Sequence, residues 1–168
     1  EQVRQQELIA QRAAELAMVA EVSTTISTLL DPEKMIQEVV DLTKERFDLY
    51  HAHIYLLDED GQNLVLRAGA GEIGRQMVAE GRSIPLDSEK SLVARTARER
   101  KGEIVNDTHA DPNFLPHPLL PSTASEVSVP LVAGDQLLGV LDAQDDQVGR
   151  FTDESVNVLT TLASQVAV

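Results

Sequence analysis

Between Glu126 and Leu131 the side chains alternate, with Val127, Val129 and Leu131 set against Glu126, Ser128 and Pro130. A period of two marks a β-strand with unlike faces. Gly134-Asp135 supplies a tight turn, and Gln136–Ala143 returns as a second strand. Leu138 and Val140 are expected on one side of it, Leu137 and Leu141 on the other. A strand apolar on both faces needs cover on both, so this hairpin is expected in the middle of an antiparallel sheet.

The rest of the chain reads in the same way. Residues 1–30 lack Pro and Gly and are rich in helix formers. Ile9, Ala13, Leu16, Ala20, Ser23, Ser27 and Leu30 step by four and three, the seam of a helix that pairs with another. Such a helix is roughly 45 Å long, more than one small domain can bury. A dimerising, signal-carrying helix is expected; the alternative is an amphipathic helix lying on its own domain.

Asp31-Pro32-Glu33 starts a second helix to about Phe47, with Met35, Ile36, Val39, Val40, Leu42 and Thr43 as its buried stripe. Ala52–Asp58 and Leu64–Ala70 read as a hairpin, after which Gly69, Gly71 and Gly74 loosen the exit. A short strand at Ser83–Leu86 contains Pro85 and belongs at an edge. Ser88 or Ser91 caps a helix from about Leu92 to Arg100, which Gly102 ends. Glu103–Val105 is a brief strand. Asn106–Thr123 carries four prolines, and a connection of that length is expected to be a lid, a binding loop or disordered. Thr152 caps a last helix bearing Val156, Leu159, Leu162, Ala163 and Val166. The chain opens at Glu1 without Met and stops inside that apolar period, as expected of a piece of a longer protein.

Composition narrows the function. A net charge of −14 argues against nucleic acid and anionic membrane as partners. No apolar run reaches the ~20 residues of a membrane span, and a cytoplasmic location is expected. With no Cys, the chain has no disulfide, thiolate metal site, thiol nucleophile or thioether-linked cofactor. The 168 residues are enough for one aliphatic core.

Six short motifs in order resemble a GAF domain over residues 31–168. They are Ile84-Pro85-Leu86, Ser91-Leu92-Val93-Ala94, Val105-Asn106-Asp107, Val129-Pro130-Leu131, Leu138-Gly139-Val140-Leu141 and Phe151-Thr152-Asp153-Glu154. Residues 1–30 resemble the signalling helices that often precede such domains. The resemblance implies an α+β fold, GAF-like, with a central antiparallel β-sheet of five or six strands. It places the terminal helices on one face and the middle helix and loops on the other, over a small-molecule pocket. It also implies a sensory or regulatory part of a larger signal-transduction protein, such as one of a two-component system. A small molecule would bind and bias the packing of flanking helices read by an output domain in the parent chain. A homodimer through the N- and C-terminal helices, in coiled-coil fashion, goes with it.

On this reading Tyr55, Arg67, Val93, Asp107, Phe114, Glu126 and Ser128 are expected to line the ligand site. Glu126 and Ser128 give their sheet face the mixed polarity a binding face needs; alternatively they line solvent near a strand end. No ligand or cofactor is assigned.

Two other functions compete: a structural dimerisation and relay module with no ligand, and a haem- or metal-binding sensor using His51, His53, His109 and His117. Loop histidines beside Asp107 and Asp111 are equally ordinary polar surface, and no metal residue is assigned. Bilin-binding relatives use a Cys that is absent here, which leaves only a noncovalently held tetrapyrrole. The Asn-Lys-x-Asp-Glu stretch of cyclic-nucleotide binders does not align, though Arg67, Arg95 or Arg98 could pair a phosphate.

An enzyme is not expected. Methionine-sulfoxide-reducing relatives use cysteines, no nucleophile elbow or triad spacing occurs, and the acids at 58–60 and 145–146 fall at turns. Gly69-x-Gly71-x-x-Gly74 lacks the parallel βαβ context of dinucleotide binding.

Overall fold

The computed structural model describes residues 5, 6, 9–16, 31–112 and 114–167. Six strands form one antiparallel sheet: β1 (His51–Leu57), β2 (Asn63–Gly69), β3 (Ser83–Pro85), β4 (Glu103–Val105), β5 (Ser125–Ala133) and β6 (Gln136–Asp145), in the order β3-β2-β1-β6-β5-β4. The helices are α1 (Pro32–Arg46), α2 (Gly71–Ala79), α3 (Leu92–Glu99) and α4 (Asp153–Val166). This is the expected α+β architecture, with β1 and β6 at the centre and Pro85 in an edge strand.

Local chemistry sets the helix boundaries. The Asp31 carboxylate accepts from Glu33 N at 3.0 Å and Pro32 opens α1. Ser91 Oγ accepts from Ala94 N at 3.1 Å at the start of α3. Thr152 and Ser155 cap α4 reciprocally. The end of α3 differs from the sequence reading, because Arg100, not Gly102, takes the left-handed conformation with φ 55°. Gly102 instead packs against α4: a Cβ there would meet Val156 Cγ1 at 2.5 Å.

The Gly69–Gly74 stretch also departs from expectation. It does not loosen the chain but lets α2 press onto β2. A Cβ on Gly74 would lie 2.0 Å from the Gly69 carbonyl carbon, and only two glycines permit that approach.

Two apolar layers cover the sheet. On one face, Ile36, Val39 and Val40 of α1 and Val158, Leu159, Leu162 and Ala163 of α4 pack on Ile54, Val127, Val129, Leu131 and Leu141. On the other, Tyr55, Leu64, Leu66 and Val140 meet Met77 of α2, Val93, Ala94 and Ala97 of α3, and Leu120 of the Pro-rich loop. The faces of β6 differ from the simple alternation. A register shift between Leu131 and Val132 places Leu138 with Leu141 beneath the terminal helices and Leu137 with Val140 opposite. One extra residue in a strand reverses the parity of everything beyond it.

Among the described seam residues, Ile9 and Leu16 lie in helical backbone, 67% and 62% exposed, and Ala13 is exposed too. Ala20, Ser23, Ser27 and Leu30 lie outside the described residues. No helix among the described residues is long and apolar enough to cross a membrane.

Candidate functional site

Register builds the site. On the face away from α1 and α4, β1, β6 and β5 place His53 beside Asp142 and Asp142 beside Ser128. One row further along, His51, Gln144 and Glu126 stand in line. Cross-strand neighbours on one face are close enough to bond directly. Six polar side chains thus converge at the centre of the sheet, all buried; Glu126 is 5% exposed and Asp142 0%.

They form one network. His51 Nε2 lies 3.1 Å from His53 Nδ1, and His53 Nε2 lies 2.7 Å from Asp142 Oδ2. Ser128 Oγ donates to Asp142 Oδ1. Gln144 Nε2 donates to Asp142 Oδ2 at 3.1 Å and to Glu126 Oε2 at 3.3 Å, while Thr123 Oγ1 donates to Gln144 Oε1 at 2.6 Å. Beside the network Tyr55 stacks edge-on to His53, with Arg82 Nε donating to its hydroxyl at 3.0 Å.

Burial and mutual charge divide the protons. Burial pushes the Glu126 carboxyl well above its ordinary range, and the neighbouring Asp142 charge pushes it further. Asp142 pays the same burial penalty, yet the charge and hydrogen bond of His53, with bonds from Glu126 and Ser128, hold it below the ordinary value. Glu126 therefore keeps its proton and Asp142 stays ionised, two carboxyls whose surroundings drive them apart. Burial, reinforced by His53, lowers His51 to about 2, so that ring is neutral. Burial also raises Tyr55, which keeps its phenolic proton.

A cavity sits on this floor. Its walls are Met77, Arg82, Ile84, Ser91, Leu92 and Val93, and its roof is Phe114, Leu115, His117 and Leu120 of the Pro-rich loop. The loop is tied down: Thr108 N donates to Ala124 O at 2.9 Å and Thr108 Oγ1 to Thr123 O at 2.8 Å. The centre of a water-sized sphere can occupy only about 20 Å³ of the space. That is room for about one water.

Of the residues expected at the site, Tyr55, Val93, Phe114 and Glu126 line this cavity, and Ser128 lies buried beneath it on Asp142. Burial of Glu126 and Ser128 excludes the solvent-lining alternative. Arg67 lies elsewhere, paired at 3.1 Å with Glu33 of α1. Asp107 is exposed and accepts from His109 N at 3.1 Å. Arg95 pairs with Glu103, and Arg98 donates to the carbonyls of Leu86 and Ser88. Asp142, Gln144 and Arg82 were missed. The signal for the first two was present: they alternate with Leu141 and Ala143 as Glu126 and Ser128 alternate with Val127.

Comparison with known proteins places this geometry. Residues 30–168 match the family model for the GAF domain. The free methionine-R-sulfoxide reductase of Escherichia coli (strain K12) is 30% identical over 151 residues, which cover 89% of this chain and 80% of that protein. The crystal structure of the GAF domain from the Acinetobacter phosphoenolpyruvate-protein phosphotransferase superposes with a TM-score of 0.78 at 22% identity, covering 91% of this chain and 90% of that one. The free methionine-R-sulfoxide reductase of Neisseria meningitidis, solved in complex with its substrate, gives 0.80 at 20% identity, with coverages of 94% and 88%. The expectation that the chain is not an enzyme is corrected here, because a relative aligned along most of its length is one. With the six-stranded sheet, helices on both faces and a roofed cavity over the centre, the chain belongs to the GAF domain family.

Proposed function

We propose that this chain binds a small polar molecule between the floor His53–Tyr55–Glu126–Gln144 and the Pro-rich roof. The observation that carries the reading is the convergence of buried, hydrogen-bonding side chains on one cavity under the Pro-rich loop. The E. coli relative makes free methionine R-sulfoxide the first ligand to test. Its α-carboxylate suits Arg82, and its sulfoxide oxygen can accept from the Tyr55 hydroxyl or the Glu126 carboxyl, all three side chains lining the cavity.

Binding in so small a space requires Phe114, Leu115 and His117 to move outward, so the roof is the element a ligand would bias. A sensory role follows if that movement passes through α3 and the turn at Gly102 to Val156 of α4, and on to an output domain. Pairing of residues 1–30 and of α4 across a homodimer belongs to the same reading. Reduction of a bound sulfoxide consumes two electrons, and without Cys those come from a reductant outside the chain.

Calorimetry and native mass spectrometry with free methionine R-sulfoxide, then a metabolite panel, test the proposal. A one-to-one adduct weakened by Tyr55→Phe supports it, and product formed with an added dithiol would make the site catalytic. No adduct and no melting shift with any compound would leave a closed structural module.

A further inference from the structure

We propose that His53, Glu126 and Asp142 form a site for a first-row divalent cation such as Zn²⁺. One ligand atom from each can be chosen so that all lie within 4.8 Å of one another. Tetrahedral ligands at ordinary Zn–N and Zn–O lengths stand about 3.4 Å apart. An ion would replace the 2.7 Å hydrogen bond between His53 Nε2 and Asp142 Oδ2, parting those two atoms slightly while Glu126 closes in; the three side chains come from the paired strands β1, β5 and β6.

Charge supplies an independent reason. Two carboxyl groups are buried side by side, and among the described residues neither has a Lys or Arg within ion-pair distance; His53 is the one charged-type partner, on Asp142. The buried Asp142 carboxylate has only His53 as compensation, and a dication that displaced the Glu126 proton would be a counter-charge for both carboxylates.

The surroundings match what a metal site needs outside its ligands. Histidine ligands are oriented by a bond to their other ring nitrogen. Here His51 Nε2 stands 3.1 Å from His53 Nδ1, leaving Nε2 aimed at Asp142. Ser128 and Gln144 hold the carboxylates as acceptors. One imidazole with two carboxylates is a hard-to-borderline donor set, suited to Zn²⁺, Mn²⁺ or Fe²⁺ and not to Cu⁺. A fourth position would face the cavity beside Tyr55 and His117.

EDTA-treated, desalted protein is titrated with Zn²⁺ by equilibrium dialysis, and with Co²⁺ for X-ray absorption of the bound ion. One tight ion per chain is expected, with a coordination shell of one imidazole and otherwise oxygen. Glu126→Gln, close in shape to the native side chain, is expected to weaken binding at least about tenfold, the scale of lost metal-site contacts. His109→Ala, on the exposed loop, is expected to leave it unchanged. Should Glu126→Gln fail to fold, the wild-type absorption spectrum decides alone. Weak multisite binding with no imidazole in the shell, or a folded Glu126→Gln with wild-type affinity, overturns the site. Metal binding in protein that binds no compound of the metabolite panel would keep the cation site and remove the organic-ligand reading; an adduct from the panel in protein that binds no metal would do the opposite.

Discussion

Replacing Glu126 by Gln changes how stability depends on pH, and in a direction opposite to that expected for an ordinary acid. In the fold Glu126 is driven well above its usual value of 4.5 by burial and by Asp142. The folded state therefore holds a proton that the unfolded chain releases above about pH 4.5. Stability from this group is present below that pH and is lost as pH rises toward the folded value, at about 1.4 kcal/mol per pH unit. His51 acts in the opposite sense. Burial lowers it from 6.5 to about 2, so it costs stability as pH falls below 6.5. Above pH 4.5 and below 6.5 the two contributions oppose each other in the wild type, so its curve alone conceals both. Asp142, held below 3.8, contributes its change only in more acidic solution.

Subtracting the variant isolates Glu126. A glutamine donates to Asp142 and accepts from Gln144 as the protonated acid does, with no proton to lose. Urea unfolding of both proteins at half-unit steps upward from about pH 5, in EDTA, should show Glu126→Gln gaining on the wild type as pH rises toward the folded value of Glu126, with a limiting slope of about 1.4 kcal/mol per unit. A difference independent of pH would mean that Glu126 is already ionised in the fold, and the division of protons between Glu126 and Asp142 would be wrong.

Two predictions concern the scaffold. Gly74→Ala puts a Cβ 2.0 Å from Gly69 backbone, where no side chain can give way. It should cost more than the ~1–3 kcal/mol of ordinary overpacking, read as a lowered melting temperature, and a near-neutral result would refute the close approach of α2 to β2. Leu162→Ala empties a fully buried position between α4 and the sheet. A loss of about 2–5 kcal/mol in urea unfolding is expected with cavity volume and ligand binding unaltered, since the opposite face carries the site.

Most of the elements were legible in the sequence; α2, which begins among glycines that read as a loose exit, was not. Alternation at 126–131, the Gly134-Asp135 turn, the Asp31, Ser91 and Thr152 caps and the helical stripe of α1 are local signals, and each follows from backbone preferences acting over a few residues. The sheet's two unlike faces were legible for the same reason. What only tertiary structure decided is which polar residues meet. Asp142 reaches His53 across 89 positions; alternation puts it on a strand face, but nothing local says which distant side chain it meets. The shift beside Leu131 sets which side of β6 each leucine faces. The glycines at 69 and 74 look like flexibility in sequence and act as a contact in space. Arg67 was a candidate and Arg82 was not, yet the fold pairs Arg67 with Glu33 and sets Arg82 on the Tyr55 hydroxyl. Pairing between distant strands depends on register and burial together, and neither is a property of a segment alone.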